Sequence, residues 1–199
     1  MLVNAALPDS WRAHGYARLH PALAERLAVL ALRALRSAPH TPTQHVDPDR
    51  GHQLWRYGWE PGTDCTDHPL CDLGHGLHRD LPRLIGEPGL VLGPLVSDHH
   101  KKGAFIDPFD ARLESFPFAP LPGRSPARVL VQLHLVTQPW PASWGGDLTR
   151  LDDGLTLAPE WNALDLFDLA RGATFVRPLL EHHVGVTAGF TLTTTLHAP

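Results

Sequence analysis

Lysine is nearly absent from this chain: Lys101 and Lys102 are the only two, and arginine supplies the rest of the 17 basic residues. Against 21 acidic residues the net charge is −4, so no basic face attracts nucleic acid or an anionic membrane. No apolar run reaches the roughly 18 residues that span a bilayer. The opening, MLVNAALPDSW, lacks the basic flank and apolar core of a signal peptide, so a cytoplasmic protein is expected. Isoleucine occurs only at Ile85 and Ile106, while alanine, arginine, leucine and proline dominate, a bias that points to a GC-rich bacterial gene.

Two cysteines, Cys65 and Cys71, are too few for a disulfide framework, and a loop this short stabilises little, so both are expected reduced. With Asp67 and His68 they match no common structural zinc spacing. There is no nucleophile elbow and no phosphate-cradling glycine loop, which leaves hydrolysis and nucleotide chemistry without support.

What is present suits one domain of 199 residues with its own core. Leu23, Leu27, Leu30 and Ala34 recur at helical spacing and predict a helix over Pro21 to Arg36. The polar, proline-bearing stretch from Ser37 to Arg50 reads as a loop, Gln53 to Trp59 as a strand, and Leu77 to Ile85 as a short helix. After Leu90 the pattern changes to short apolar runs between proline and glycine clusters, as in a sandwich or barrel. The expectation is a single α+β, mainly β domain, with a helical part over residues 1–90 carrying one strand and a β core over residues 91–199.

Several segments, in order, resemble one family. Arg128 to Leu148, RVLVQLHLVTQPWPASWGGDL, looks like a core strand, a Trp-containing turn and a Gly-Gly-acidic-Leu strand start. Pro159 to Leu169, PEWNALDLFDL, is similar to a Pro-x-x-Asn-x-Leu-x-x-Phe strand, and His182-His183-Val184-Gly185-Val186 to a His-x-Val strand. Upstream, Leu84 to Pro88 and Gly103 to Pro108 resemble a helix end and a Gly-Asp-Phe-Leu-x-Pro segment. Over roughly residues 77–197 the chain thus resembles the prolyl-4-hydroxylase-like Fe(II)/2-oxoglutarate oxygenases. The resemblance implies a double-stranded β-helix (jelly-roll, cupin-like) core with the N-terminal helices packed on it. It also implies Fe(II), held by a His-x-Asp pair and a second histidine, and 2-oxoglutarate gripped by an arginine about eight to ten residues beyond that histidine.

The residues depart from that pattern. The His-x-Asp slot falls on Phe109-Asp110-Ala111 or, four residues earlier, on Phe105-Ile106-Asp107, and phenylalanine cannot ligate a metal. No lysine or arginine follows Arg177, so the usual co-substrate clamp is missing. A rebuilt centre could draw on Asp107 or Asp110, His99 or His100, and His182 as the metal histidine, with Arg128 or Arg177 standing in for the clamp. Either cofactor could equally be absent.

Candidate catalytic residues are therefore His182, Asp107, Asp110 and His134; Trp144, Phe109 and Phe190 are candidate pocket walls beside Arg128 and Arg177. Each has a plainer reading. His182 and His183 alternate across their strand, so one faces the pocket and the other does not. His134 is a buried hydrogen-bonded imidazole or a pocket acid/base, Asp107 and Asp110 suit a proline turn, and Arg128 suits a strand end. Two functions follow. One is an enzyme for a small hydrophobic or aromatic molecule in bacterial specialised metabolism, either oxidative at an atypical iron site or metal-free, by cyclisation or isomerisation. The other is a catalytically dead pseudo-oxygenase that binds a ligand or partner. A small molecule is the expected partner, and a homodimer stays open.

Overall fold

Helix α2 (Glu25–Ser37) buries Ala28, Ala31, Leu32 and Leu35 along one stripe. It begins later than the periodicity from Pro21 suggests, because Ala22 and Leu23 are held elsewhere. The Ala22 amide donates to the Asn162 carbonyl (2.8 Å), and the Leu23 amide donates to the Asn162 side chain (2.9 Å). The computed structural model describes residues 1–3, 6–47, 52–59, 68–101, 106–110, 127–140, 148–150, 153–171, 174–177 and 189–199. At 41–47, 52–56, 98–101, 106–110 and 174–177 only the backbone is described.

Helix α3 (Pro69–Ile85) is twice the expected length. Pro69 suits its first turn and the His68 side chain accepts from the Leu70 amide (3.3 Å), giving a start that the glycine pair in LGHGL concealed. Gly74 and Gly76 are buried, and a side chain at Gly76 would collide with Met1, so close packing retains it. Gly86 ends the helix in the left-handed region at φ 85°. Cys71, on this helix, is disulfide-bonded, and Cys65 is the chain's one other cysteine; the expectation of reduced thiols is corrected here. A short helix, α1 (Asp9–His14), precedes both. Among the described residues no helix is long and apolar enough to cross a membrane.

The strands, in chain order, are β1 (Tyr16–Leu19), β2 (Thr41–Asp47), β3 (His52–Trp59), β4 (Val91–Leu92), β5 (Leu95–Lys101) and β6 (Ile106–Asp110), followed by β7 (Ala127–Val136), β8 (Leu148–Arg150), β9 (Thr156–Leu157), β10 (Ala163–Asp168), β11 (Thr174–Arg177) and β12 (Gly189–His197). They form two antiparallel sheets. The main sheet runs β1-β10-β7-β12-β5-β3-β2 with β4 also on β12, and the second runs β6-β11-β8-β9. The fold is thus mainly β with few helices, as expected. The first 90 residues, however, contribute three strands rather than one. β2 lies where a loop was expected because it is an edge strand, the one place where Pro42 does not break a ladder.

Alternation divides β7 between two cores. Val129, Val131, Leu133 and Leu135 join Leu164, Leu166 and Leu192 beneath α2 and α3. Leu130 and Phe167 turn the other way and meet Leu148 and Leu157 of the second sheet. The space between the sheets is therefore lined by the even-numbered residues of β7.

Candidate functional site

Residues paired across antiparallel strands share a face, so the register lays out the inner surface of the main sheet in rows. Phe167, Leu130 and Thr195 form an apolar row; beside it lie Asp165, Gln132 and Thr193, then Ala163, His134 and Thr191. β1 extends these rows by placing Arg18 opposite Asp165 and Tyr16 opposite Phe167, on which the Tyr16 ring stacks at 5.9 Å.

A chain of ionic and polar contacts runs along this surface. Arg18 grips Asp165 as a fork, Nε donating to Oδ1 at 2.7 Å and Nη2 to Oδ2 at 2.8 Å. Nη2 also donates to the Ala158 carbonyl (2.8 Å), and Nη1 lies 3.2 Å from the Glu160 carboxylate. Asp165 is 1% exposed. Burial alone would raise its pKa, but the Arg18 fork and His134 outweigh that and hold it below the ordinary value. Burial pushes the Tyr16 hydroxyl up, and the Asp165 charge adds to this.

His134 completes the chain. Its Nε2 is 3.1 Å from Asp165 Oδ2, and its Nδ1 is 3.2 Å from Thr191 Oγ1. An ionised carboxylate only accepts, so Nε2 carries the hydrogen that faces Asp165. In the neutral ring Nδ1 is then an acceptor, aimed at the Thr191 hydroxyl. Hydroxyl, imidazole and carboxylate are in series, the arrangement that lets a base take a proton while its partner steadies the resulting cation.

A cleft of about 610 Å³ opens past the end of β7; Leu32 and Trp161 of its wall pack with the core beneath the helices, and none of Arg18, Gln132, His134, Asp165 or Thr191 lines it. Val136, one same-face step beyond His134 on β7, forms part of its wall with Leu32, Pro139, Trp140, Pro159 and Trp161. Glu160, also in the wall, is the residue that contacts Arg18. Trp161 is fixed on both sides: its indole donates to the Glu25 carboxylate at 3.2 Å and its carbonyl lies 3.0 Å from His20 Nε2.

Of the residues singled out in the sequence, His134 is buried and hydrogen-bonded on the inner face. Phe190 instead joins the core beneath the helices, 5.4 Å from the His40 ring. Arg128, at the start of β7, pairs with Glu87 at 3.0 Å. Asp107, Phe109 and Asp110 belong to β6 and Arg177 to β11, and of these the backbone alone is described; β11 registers Phe175 opposite Phe109. His182 and Trp144 lie outside the described residues. Among the described residues no three His, Cys, Asp or Glu side chains gather as a metal site. Sequence reasoning missed Arg18, Asp165, Thr191 and Gln132. The available signal was a polar residue at alternate positions, Gln132 and His134 in VQLHLV, within an otherwise apolar run from Val129 to Val136.

No family model matches the chain, and no curated protein matches it. Solved structures do. A prolyl-4-hydroxylase from Pseudomonas putida is 19% identical with a TM-score of 0.66, over 96% of each chain. An oxidoreductase of the 2OG-Fe(II) oxygenase family from Burkholderia pseudomallei is 16% identical with a TM-score of 0.66, over 96% of this chain and 88% of that one. The non-heme alpha-ketoglutarate-dependent carbocyclase SnoK from nogalamycin biosynthesis is 10% identical with a TM-score of 0.58, over 94% and 81%. The chain therefore has the fold of the prolyl-4-hydroxylase-like 2-oxoglutarate/Fe(II) oxygenases.

Proposed function

We propose that this chain is an enzyme on a double-stranded β-helix that moves protons on a small hydrophobic or aromatic molecule. Thr191, His134 and Asp165 form the relay. The observation that carries this reading is the Thr191–His134–Asp165–Arg18 series on the inner face, with His134 and Asp165 buried at its centre.

The residues present do not fit an Fe(II)/2-oxoglutarate centre. Phenylalanine occupies the first-histidine slot in either register, and the strand paired with β6 sets Phe175 opposite Phe109. The co-substrate is a dianion, and no lysine or arginine follows Arg177 to receive it. Arg18, on the main sheet's inner face, is already bound by Asp165 and Glu160, and Arg128, at the start of β7, is paired with Glu87.

The steps follow from the hydrogen bonds. The Thr191 hydroxyl passes its proton to His134 Nδ1 as it takes one from an acidic C–H or O–H of the substrate. Asp165 stabilises the imidazolium, and Arg18 keeps Asp165 ionised. Return of a proton through the relay, after exchange with solvent, to the same or another substrate atom completes exchange, isomerisation or ring closure, which needs no oxidant and leaves charge balanced. General base catalysis of this kind is worth about 10²- to 10⁴-fold. The nogalamycin carbocyclase, on the same fold, is named as alpha-ketoglutarate dependent, so it supports specialised metabolism as the setting but lends nothing to a ring closure without that co-substrate. The disulfide at Cys71 weighs against the reducing cytoplasm expected from the sequence.

The test is proton exchange. Purified protein is incubated in D₂O with a panel of aryl ketones and phenols, with and without EDTA, and deuterium uptake is followed by mass spectrometry. Exchange that survives EDTA and falls about 100-fold in His134→Ala is expected. Stoichiometric Fe(II) binding, with a charge-transfer band on adding 2-oxoglutarate anaerobically, would overturn the reading. A tight protein partner, with neither exchange nor iron, would favour the pseudo-oxygenase.

A further inference from the structure

We infer that Gln132 recognises the amide edge of a neutral ligand, a lactam or primary amide, held between the two sheets. The Gln132 side chain is 0% exposed, yet neither its Oε1 nor its Nε2 has a hydrogen-bond partner. Buried polar groups are almost always paired, so a side chain that leaves acceptor and donor both empty marks a position that something else completes. It projects from the same face of β7 as Leu130, which meets the second sheet, and its row neighbours are Asp165 and Thr193. Asp165 is already engaged by Arg18 and His134 and does not answer it.

The chemistry of the missing partner follows from what Gln132 offers. A primary carboxamide presents an acceptor beside a donor. Its complement is an N–H and a C=O on one edge of one group, as in a lactam, a primary amide or an imide. A carboxylate would satisfy Nε2 but face Oε1 with a second acceptor, and it would add negative charge beside ionised Asp165. The Arg18 charge that might have offset it is already shared between two carboxylates. This deepens the proton-transfer reading and rests on it only for the location, because His134 lies in the next row.

Titration calorimetry of the full chain with quinolin-2(1H)-one and 2-pyridone, each against its N-methyl analogue, tests the assignment. The unmethylated probes are expected to bind at least about tenfold more tightly, since a site built to hydrogen-bond an N–H rejects the analogue lacking it. In Gln132→Met, similar in size without the amide, the preference should shrink to within about twofold while the melting temperature holds or rises, because an unmet buried amide is gone. If that variant does not fold, the side-chain NH₂ signal of Gln132 in wild-type ¹⁵N spectra serves instead, and should shift with quinolin-2(1H)-one and not with its N-methyl form. Equal affinity for the paired probes, binding of neither, or a preference that survives Gln132→Met overturns the assignment; bridging waters as the true partners would give the first or second result. His134→Ala separates the two ideas: lost exchange with retained preference supports both, and retained exchange defeats proton transfer alone.

Discussion

Arg18→Met isolates the ion pair on which the polar face depends. The change keeps the apolar stem of Arg18, which is 16% exposed, and deletes the fork on Asp165. Asp165 would then be a carboxylate at 1% exposure with His134 as its remaining described partner. Removing one member of a buried pair costs about 3–5 kcal/mol, because the other charge is left uncompensated. For a domain of this length that is roughly a 6–20 °C fall in melting temperature at neutral pH. The pH dependence carries a definite sign. In the wild type Asp165 titrates below its ordinary value of about 3.9, so its contribution is full above that value and is lost as pH falls through the lower, folded one. Without Arg18, burial dominates and carries the carboxyl upward; the deficit is then greatest at neutral pH, narrows as pH falls through the raised folded value, and closes only below the wild type's lowered one, where every form is protonated. Urea unfolding at several pH values measures it. A loss below about 1 kcal/mol at pH 7, or a deficit that does not change with pH, would refute the reasoning. Arg18→Met with Asp165→Leu should recover much of the loss, since replacing both charges removes the desolvation penalty as well.

Asn162→Ala should cost about 2–4 kcal/mol in urea unfolding: Asn162 sits at φ 57° and its side chain bonds both the amide and the carbonyl of Leu23. Asn162→Gly should recover only the backbone share, about 1 kcal/mol. Gly189→Ala should cost more than about 2 kcal/mol, because Gly189 lies at φ 125° and a Cβ there collides with the Leu135 carbonyl; calorimetry reads this as a lower melting temperature. Reducing the Cys71 disulfide should lower the melting temperature by about 5 °C, the loop-closure value for so short a ring, and an unchanged melt in reductant would show that the bond contributes nothing.

The strands legible in the sequence are those with strong apolar patterning. β7 and β10 lie inside the stretches that carried the family resemblance, and α2 lies inside the leucine-periodic segment. β1 and β2 escaped for physical reasons. β1 is four residues, too short to show a period, and β2 carries a proline that an edge position tolerates. The start of α3 was hidden by the two glycines of LGHGL, of which Gly76 lies against the Met1 side chain. His134 was visible as a histidine flanked by apolar residues. Its partners were not, because Arg18 and Asp165 are 147 residues apart and only strand register brings them together.

The same register explains where the chemistry sits. In the second sheet, β6 sets Phe109 opposite Phe175 of β11. The described polar groups converge instead on the opposing sheet, across β1, β10, β7 and β12. β1 is central to that shift. Asp165 can be buried and ionised only because β1 adds a strand beyond β10 and delivers Arg18 to it, and His134 can be held with Nδ1 free to accept only because Asp165 is ionised. An N-terminal strand thus fixes which ring nitrogen of a histidine two strands away carries the hydrogen. A polar row of this kind requires β1, whereas an iron centre between β6 and its partner would not.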